Sequence, residues 1–168
     1  MPLVQFRRGC PSKCSYCLEG SSYYNKISKC RSSEVIKDEM DYIGKRSKKI
    51  KFLNIADSNF GMFKDDIAIA KIIENTFQNT KYPGYINVST GKNNVNRVIE
   101  VAKILKGKLR VTGSVQSTNA KVLKNVRRDN ISLGKIISFA HMAKEINANS
   151  SSEIIIDLPG DTREAFMK

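Results

Sequence analysis

This chain of 168 residues lacks long apolar runs and is poor in cysteine, histidine and acidic residues. No apolar segment approaches the roughly 20 residues that a membrane-spanning helix needs. Arg7 and Arg8 follow the first residue too closely for a signal peptide. Four cysteines, three of them clustered, make a poor disulfide framework. We therefore expect a reducing, cytoplasmic setting and no membrane span.

Acidic residues are scarce, so the chain is strongly positive. It has 29 Lys and Arg residues but 16 Asp and Glu residues, which gives a net charge of +13. An RNA partner would account for such a charge. However, the basic residues are scattered along the chain and form no stripe interleaved with aromatic residues. An anionic substrate or cofactor would need only part of the charge. RNA is therefore a less favoured partner than a small molecule.

Short apolar segments alternate with amphipathic segments, which predicts an α/β domain with a parallel sheet. The predicted strands are 3–7, 50–56, 85–90, 109–115 and 153–158. The predicted helices are 32–45, a segment that begins at Asp65, 95–105, 119–126, 133–146 and a last one that begins at Thr162. No linker, internal repeat or low-complexity segment divides residues 1–168. We expect one domain of five β/α units that curl into a partial (β/α) barrel.

Chemically active residue types follow the predicted strands, at the edge where such folds gather their functional groups. The first strand is followed by the Cys loop, which is residues 8–17. The other groups are Asp57, Ser58 and Asn59 after the second strand, Gln116 and Ser117 after the fourth, and Asp157 near the end of the fifth.

The Cys loop carries three thiols, Cys10, Cys14 and Cys17, in the spacing C-x3-C-x2-C. Thiolates are ligands for zinc and for iron–sulfur clusters. Three cysteines on a four-iron cluster would leave one iron open to another ligand. A structural zinc site that also uses Cys30, and a redox-active C-x2-C pair, remain alternatives on spacing alone.

Four segments together resemble the radical S-adenosylmethionine (SAM) superfamily, and above all its cobalamin-dependent branch. One is the cysteine triad with the aromatic Tyr16 before its third cysteine. The other segments follow in the order expected for the family and lie at the predicted strand ends: FLNIADSNFG at 52–61, SVQST at 114–118 with VLK at 122–124 and Arg128, and IIIDLPGDT at 154–162.

The resemblance implies that Cys10, Cys14 and Cys17 hold a 4Fe-4S cluster and that SAM chelates the fourth iron. Reductive cleavage of SAM then gives methionine and a 5′-deoxyadenosyl radical, which removes hydrogen from the substrate. Such an enzyme needs a reductant such as flavodoxin or ferredoxin. The cofactor supplies the difficult chemistry, and the protein positions it and excludes water.

The same resemblance implies SAM contacts for seven further residues. Tyr16 is expected against the adenine, and the segment from Asp57 through Ser58 to Asn59 near the amino group of SAM. Gln116 and Ser117 are expected near its ribose or carboxylate. Asp157 would either meet a ribose hydroxyl or crowd the site.

The family core usually has six β/α units, and the cobalamin-dependent branch adds a corrinoid-binding domain. Residues 1–168 are therefore expected to be a core that lacks the sixth unit, with cobalamin bound by a domain absent from this chain. The favoured function is cobalamin-dependent methylation or rearrangement of an unidentified substrate. The alternatives are a methylthiotransferase-like enzyme acting on RNA and a basic nucleic-acid-binding module with a four-cysteine zinc site.

Overall fold

The computed structural model describes residues 1–130 and 132–167. The strands are β1 (Leu3–Val4), β2 (Phe52–Ile55), β3 (Tyr85–Asn87), β4 (Val111–Thr112) and β5 (Ser150–Ser151). The helices are α1 (Ser33–Arg46), α2 (Asp65–Thr80), α3 (Val95–Ile104), α4 (Ala120–Asn125), α5 (Leu133–Glu145) and α6 (Arg163–Phe166).

Parallel strands follow one another in chain order. Strands β1, β2 and β3 form one sheet, and β4 pairs with β5 in parallel. A parallel bridge between Ile86 and Leu109 joins the two sheets. This sequential order, with helices between the strands, confirms the predicted partial barrel and brings the carboxyl ends of the strands to one edge.

The first strand is shorter than predicted because groups outside the sheet bind its next backbone N–H and carbonyl. The Phe6 N–H donates to Oδ1 of Asp57 at 2.8 Å, and the Phe6 carbonyl accepts from the N–H of Arg31 at 3.1 Å. Residues after Val4 therefore leave the ladder and lead into the Cys loop. A polar side chain from the end of β2 thus fixes the point where β1 ends.

The position predicted for the fifth strand is wrong. Strand β5 is the polar pair Ser150–Ser151, which lies beside Val111 and Thr112 of β4. The apolar run 154–156 resembles a buried strand, yet Ile154 and Ile156 are 63% and 73% exposed. Only a single bridge, from Ile154 to Gln116, continues the pairing there. The predicted strand therefore lies too far toward the carboxyl terminus, because these residues are hydrophobic but no layer of the structure covers them.

The helices begin close to their predicted positions, and α1, α4 and α6 do so at local side-chain caps. Oγ of Ser32 accepts from the Val35 N–H at the start of α1, and Oδ1 of Asn119 accepts from the Lys121 N–H at the start of α4. Oγ of Thr162 accepts from the N–H of Ala165 in α6. Helices α1, α2 and α3 bury one apolar face each, as the periodicity predicts: Ile36 and Met40, Ile69 and Ile73, and Val98 and Ala102.

Apolar side chains form two clusters of different size. The main core lies between the strands and helices α1, α2, α3 and α5, and it includes Leu53, Ile73, Ile86 and Leu105. The smaller site-side cluster consists of Val122, Val126 and Leu158, with Tyr16 and Ile155 packed against it. It lies beneath the Cys loop. Within the described residues, no helix is both long and apolar enough to cross a membrane.

Candidate active site at the carboxyl ends of the strands

The Cys loop is tied to two separate parts of the chain. Its Cys10 N–H donates to the Tyr24 carbonyl at 3.2 Å, and its Ser15 N–H donates to the Val126 carbonyl at 3.0 Å. Gly9 has a φ of +91°, and a Cβ there would lie 2.3 Å from the Lys26 carbonyl oxygen. Only glycine fits at this entry to the loop.

The three thiols of the loop are free, and Cys10 and Cys14 are buried whereas Cys17 is exposed. Nitrogen donors approach both buried sulfurs: Nδ2 of Asn59 lies 3.2 Å from Sγ of Cys10, and Nη1 of Arg128 lies 3.8 Å from Sγ of Cys14. Such donors suit anionic thiolate ligands. The donor set therefore fits an iron–sulfur cluster held by three cysteines.

The structure does not favour the four-cysteine zinc site. Cys30 is packed against the main core, where burial raises the pKa of its thiol. Zinc would need its ligands within about 2.3 Å of one point. The packing of Cys30 against the main core therefore argues against a fourth cysteine ligand beside the Cys loop.

A cavity of about 570 Å³ opens beside the Cys loop, at the carboxyl ends of the strands. Most of the predicted site residues line it: Cys10, Tyr16, Cys17, Asp57, Ser58, Asn59 and Gln116. Residues separated by more than 100 positions in sequence are thus brought to one polar space. Its volume lies within the range typical of small-molecule sites.

Three predicted site residues lie outside the cavity lining, namely the buried Cys14 and the two predicted SAM contacts Ser117 and Asp157. Oγ of Ser117 accepts from the N–H of Asn119 at 3.1 Å, so this hydroxyl shapes the turn before α4. Asp157 is exposed and has a φ of +62°, a left-handed conformation that aspartate tolerates in turns. Both residues therefore occupy positions suited to forming turns.

Asp57 is the most perturbed carboxyl group of the cavity wall. It is 6% exposed, and Oδ1 accepts the Phe6 N–H. Burial raises its pKa to about 6, although this hydrogen bond and the Arg7 guanidinium act in the opposite direction. Its hydrogen bond to the end of β1 shows that Asp57 helps to position the Cys loop.

Arg128 connects the Cys loop with the end of β4. Its guanidinium is almost fully buried and donates to Oη of Tyr16 at 3.0 Å, to Oδ1 of Asn130 at 2.6 Å and to the carbonyl of Ser114. Burial raises the pKa of Tyr16 to about 12, so its hydroxyl stays protonated. The family motif included Arg128, but the sequence did not indicate these contacts.

Gln116 is held in the left-handed region, with a φ of +66°. Its Oε1 is buried and has no hydrogen-bond partner among the described residues, while the side chain lines the cavity. An unpaired buried acceptor is unfavourable by about 1–3 kcal/mol. A ligand that brings a hydroxyl or an ammonium donor into the cavity would satisfy it.

Sequence reasoning missed other residues of the cavity wall. Arg110, Thr112 and Ser114 line it from β4 and its flanks. Their spacing of two residues is the alternation expected of a strand face, and it could have identified them. Glu19 and Glu153 also line the cavity, and each accepts from a serine hydroxyl: Ser58 at 2.6 Å and Ser114 at 2.7 Å, respectively.

Curated relatives match almost the whole chain. It is 29% identical over 170 aligned positions to the cobalamin-dependent radical SAM methyltransferase TokK of Streptomyces tokunonensis. It is 28% identical to the 2-(S-pantetheinyl)-carbapenam-3-carboxylate methyltransferase of Streptantibioticus cattleyicolor. Each alignment covers 98% of this chain but 24% of the relative. The chain thus spans about a quarter of the length of these relatives.

Solved structures show the same fold at low identity. The radical SAM methyltransferase TsrM from Kitasatospora setae, with cobalamin and a [4Fe-4S] cluster bound, superposes with a TM-score of 0.78 at 14% identity, covering 98% of this chain and 32% of TsrM. HydG, a maturase of the [FeFe]-hydrogenase, gives a TM-score of 0.59 at 15% identity, covering 94% of this chain and 35% of HydG.

The family assignment comes from a further comparison. The model of the Radical SAM superfamily matches residues 4–168, which include the Cys loop and every strand end that lines the cavity. This match confirms the resemblance seen in the four motifs. The chain belongs to the radical SAM superfamily, the enzymes whose cofactors are a 4Fe-4S cluster and SAM.

Proposed function

We propose that the chain is the core of a cobalamin-dependent radical SAM methyltransferase that acts on a small molecule. The observation that carries the proposal is a three-cysteine loop that forms one wall of a polar 570 Å³ cavity. Methyl transfer is supported by the two curated relatives, which are both methyltransferases, and TokK is cobalamin-dependent. No observed feature of the cavity favours the methylthiotransferase alternative.

The residues of the Cys loop would hold the cluster through Cys10, Cys14 and Cys17. A cluster held there would supply the electron for reductive cleavage of SAM. Burial of Cys10 and Cys14 would keep water from most of the cluster. The Asn59 amide and the Arg128 guanidinium would stabilise the negative charge of its sulfurs.

The cavity wall would hold SAM on three sides. Tyr16 would lie against the adenine, with its ring fixed by the hydrogen bond from Arg128. The segment 57–59 would face the methionyl part. Gln116 would accept a hydrogen bond from SAM through its unpaired Oε1. We propose that Ser117 and Asp157 support the site through turn geometry and do not contact SAM.

The proposal also covers cobalamin, the substrate, the reductant and the cellular location. Cobalamin would be bound by a domain outside these 168 residues, and residues outside them would also select the substrate. Flavodoxin or ferredoxin would supply the electron. We propose a cytoplasmic location because free cysteine thiols and an iron–sulfur cluster need a reducing compartment.

Anaerobic reconstitution of the chain with iron and sulfide tests the proposal. We expect about four irons per chain, a brown colour, and an electron paramagnetic resonance spectrum of the reduced cluster that changes when SAM is added. Cys10→Ser, Cys14→Ser and Cys17→Ser should each lose most of the iron. Cys30→Ser is the matched control and should keep it.

Two results would contradict the proposal. One zinc per chain, lost in the Cys30→Ser variant, would restore the zinc alternative. A four-iron cluster with a spectrum indifferent to SAM would show that the open iron does not bind this ligand.

A further inference from the structure

The three thiols of the Cys loop differ in their access to solvent. Cys10 and Cys14 are buried, whereas Cys17 is exposed. A protein that delivers an electron to a cluster on this loop must bring its own redox centre close to these sulfurs from outside. The surface around Cys17 offers such a partner the most direct approach.

Large apolar side chains lie exposed on the segment that follows Cys17. Leu18 and Tyr23 are 73% and 79% exposed, and Tyr24 and Ile27 are exposed as well. The rings of Tyr23 and Tyr24 meet edge to face, with their centroids 4.8 Å apart. Exposed apolar groups that include aromatic rings are typical of surfaces that bind another protein.

Basic residues surround this apolar group on both sides of the Cys loop. On one side, the Ser28 N–H donates to the Arg8 carbonyl at 2.9 Å. On the other side, the Ser15 N–H donates to the Val126 carbonyl at 3.0 Å. These contacts bring exposed basic residues of three segments to the loop: Arg8, Lys13, Lys26, Lys29 and Arg127. We call these five, together with Leu18, Tyr23, Tyr24 and Ile27, the loop surface.

The positive charge of the loop surface is not balanced by acidic side chains of the structure. In residues 1–130 and 132–167, none of its five basic side chains forms an ion pair, although the chain pairs others, such as Lys37 with Asp41. The only acidic residue in 8–31 is Glu19, which lines the cavity and accepts from the Ser58 hydroxyl. The loop surface is therefore suited to a partner of negative charge.

We propose that the loop surface is the docking site of an acidic electron-carrier protein of the flavodoxin type. The inference rests on the proposed function and identifies where its reductant binds. Acidic residues of the carrier would lie opposite the five basic residues, and apolar contacts would cover Leu18 and Tyr23. One electron then passes from the reduced carrier to the cluster at its Cys17 edge, and no covalent bond forms or breaks. An RNA partner would use the charge but would gain nothing from access to this sulfur.

Calorimetric titration of the cluster-loaded chain with flavodoxin tests the proposal without turnover. The double variant Lys13→Glu/Lys26→Glu reverses two charges of the loop surface. We expect its dissociation constant at low ionic strength to rise about 10-fold to 100-fold, because like charges then oppose each other across the interface. Added salt should weaken wild-type binding, since it screens the attraction between exposed charges.

The double variant Lys45→Glu/Lys103→Glu is the matched control. Both lysines are exposed and lie in the last turns of α1 and α3, at the opposite edge of the sheet from the Cys loop. The net charge changes by the same amount, so this variant should keep most of the wild-type affinity. Tyr23→Ser tests the apolar part of the surface, and it should weaken binding roughly 10-fold without changing the salt dependence.

The rate of cluster reduction separates weaker docking from damage to the site. At low concentrations of photoreduced flavodoxin, the Lys13→Glu/Lys26→Glu variant should be reduced about 10-fold more slowly than the wild type. Photoreduced 5-deazariboflavin, which is small and uncharged, should reduce both at the same rate. Iron content, measured for every variant, verifies that the cluster is intact.

Three results would overturn the inference: no binding of flavodoxin to the wild type, an equal loss of affinity in the two double variants, or a loss of binding to polyuridylic acid alone in the Lys13→Glu/Lys26→Glu variant. The last result would assign the surface to RNA. In each case, a cluster whose spectrum responds to SAM leaves the proposed function intact. A wild-type chain without such a cluster would refute both.

Discussion

The main core and the site-side cluster lie in parts of the molecule that are stabilised by different interactions. The main core joins strands β1 to β4 to four helices through large buried side chains such as Ile73 and Leu105. The site-side cluster has three buried members, and the region around it depends on polar contacts of Arg128 and Asn130. Apolar burial therefore holds the barrel, whereas hydrogen bonds hold the wall of the site. The following substitutions should separate the two roles.

The largest effect is expected in the main core. Ile73→Ala leaves a cavity at a fully buried position and should lower the free energy of unfolding by about 2–5 kcal/mol. Val122→Ala in the site-side cluster should lower it by about 1–2 kcal/mol and reduce iron retention per folded chain. Urea denaturation and iron analysis measure both quantities. Equal losses of stability from the two substitutions would contradict the distinction.

Removal of the buried guanidinium should affect the site more than the fold. Arg128→Met leaves Oη of Tyr16 and the carbonyl of Ser114 without their donor, and the expected loss of stability is about 2 kcal/mol. We expect iron retention after desalting to fall to less than half. Arg128→Lys should restore little, because an ammonium cannot reproduce the planar fork. Full retention in Arg128→Met would show that the loop does not need this contact.

The entry to the Cys loop should be sensitive to a single methyl group. Gly9→Ala places a Cβ against the Lys26 carbonyl at a φ of +91° and should destabilise the chain by about 1–2 kcal/mol, with slower cluster assembly. Gly134→Ala is the control, because it lies in α5 and a Cβ there would meet no tertiary contact within 4 Å among the described residues. That substitution should be neutral or stabilising. Circular dichroism melting curves and the rise of cluster absorbance measure the two effects.

A further expected effect is a dependence of stability on pH that comes from Asp57. Burial raises its pKa from 3.8 to about 6, so the folded chain holds this proton more tightly than the unfolded chain. The associated stability is present below about pH 4 and decreases as the pH rises through about 6. Asp57→Asn keeps an acceptor for the Phe6 N–H and removes the titration. The stability of the variant relative to the wild type should therefore increase between pH 4.5 and pH 7.5, as measured by denaturation at both values.

The sequence predicted those parts of the molecule that depend on local signals. Caps such as Ser32 and Thr162 located helix starts because their bonds span only a few residues. The spacing of Cys10, Cys14 and Cys17 is also a local signal, and from it the Cys loop is predicted to hold a cluster. Strand limits were less accurate, because long-range contacts such as Asp57 with Phe6 decide where pairing stops.

The contacts that refine the site were not predictable from spacing. Glu19 and Ser58 lie 39 positions apart, and Tyr16 and Arg128 lie 112 positions apart. The sequence around each residue does not indicate its partner, because the two residues of each pair come together only when the barrel folds. Ile154 and Ile156 led to a strand predicted in the wrong place, since both are exposed. Hydrophobicity indicates burial only where another layer covers the strand.

The unequal exposure of the three thiols has a consequence for handling the protein in air. Cys10 and Cys14 are buried, whereas Cys17 is open to solvent. Oxidants and alkylating agents reach accessible sulfur first, and oxidation beyond the sulfenic acid is in general not reversed. Brief treatment of the iron-free chain with iodoacetamide should therefore label Cys17 before its two neighbours. Damage at that one position would then be enough to prevent later insertion of iron and sulfide.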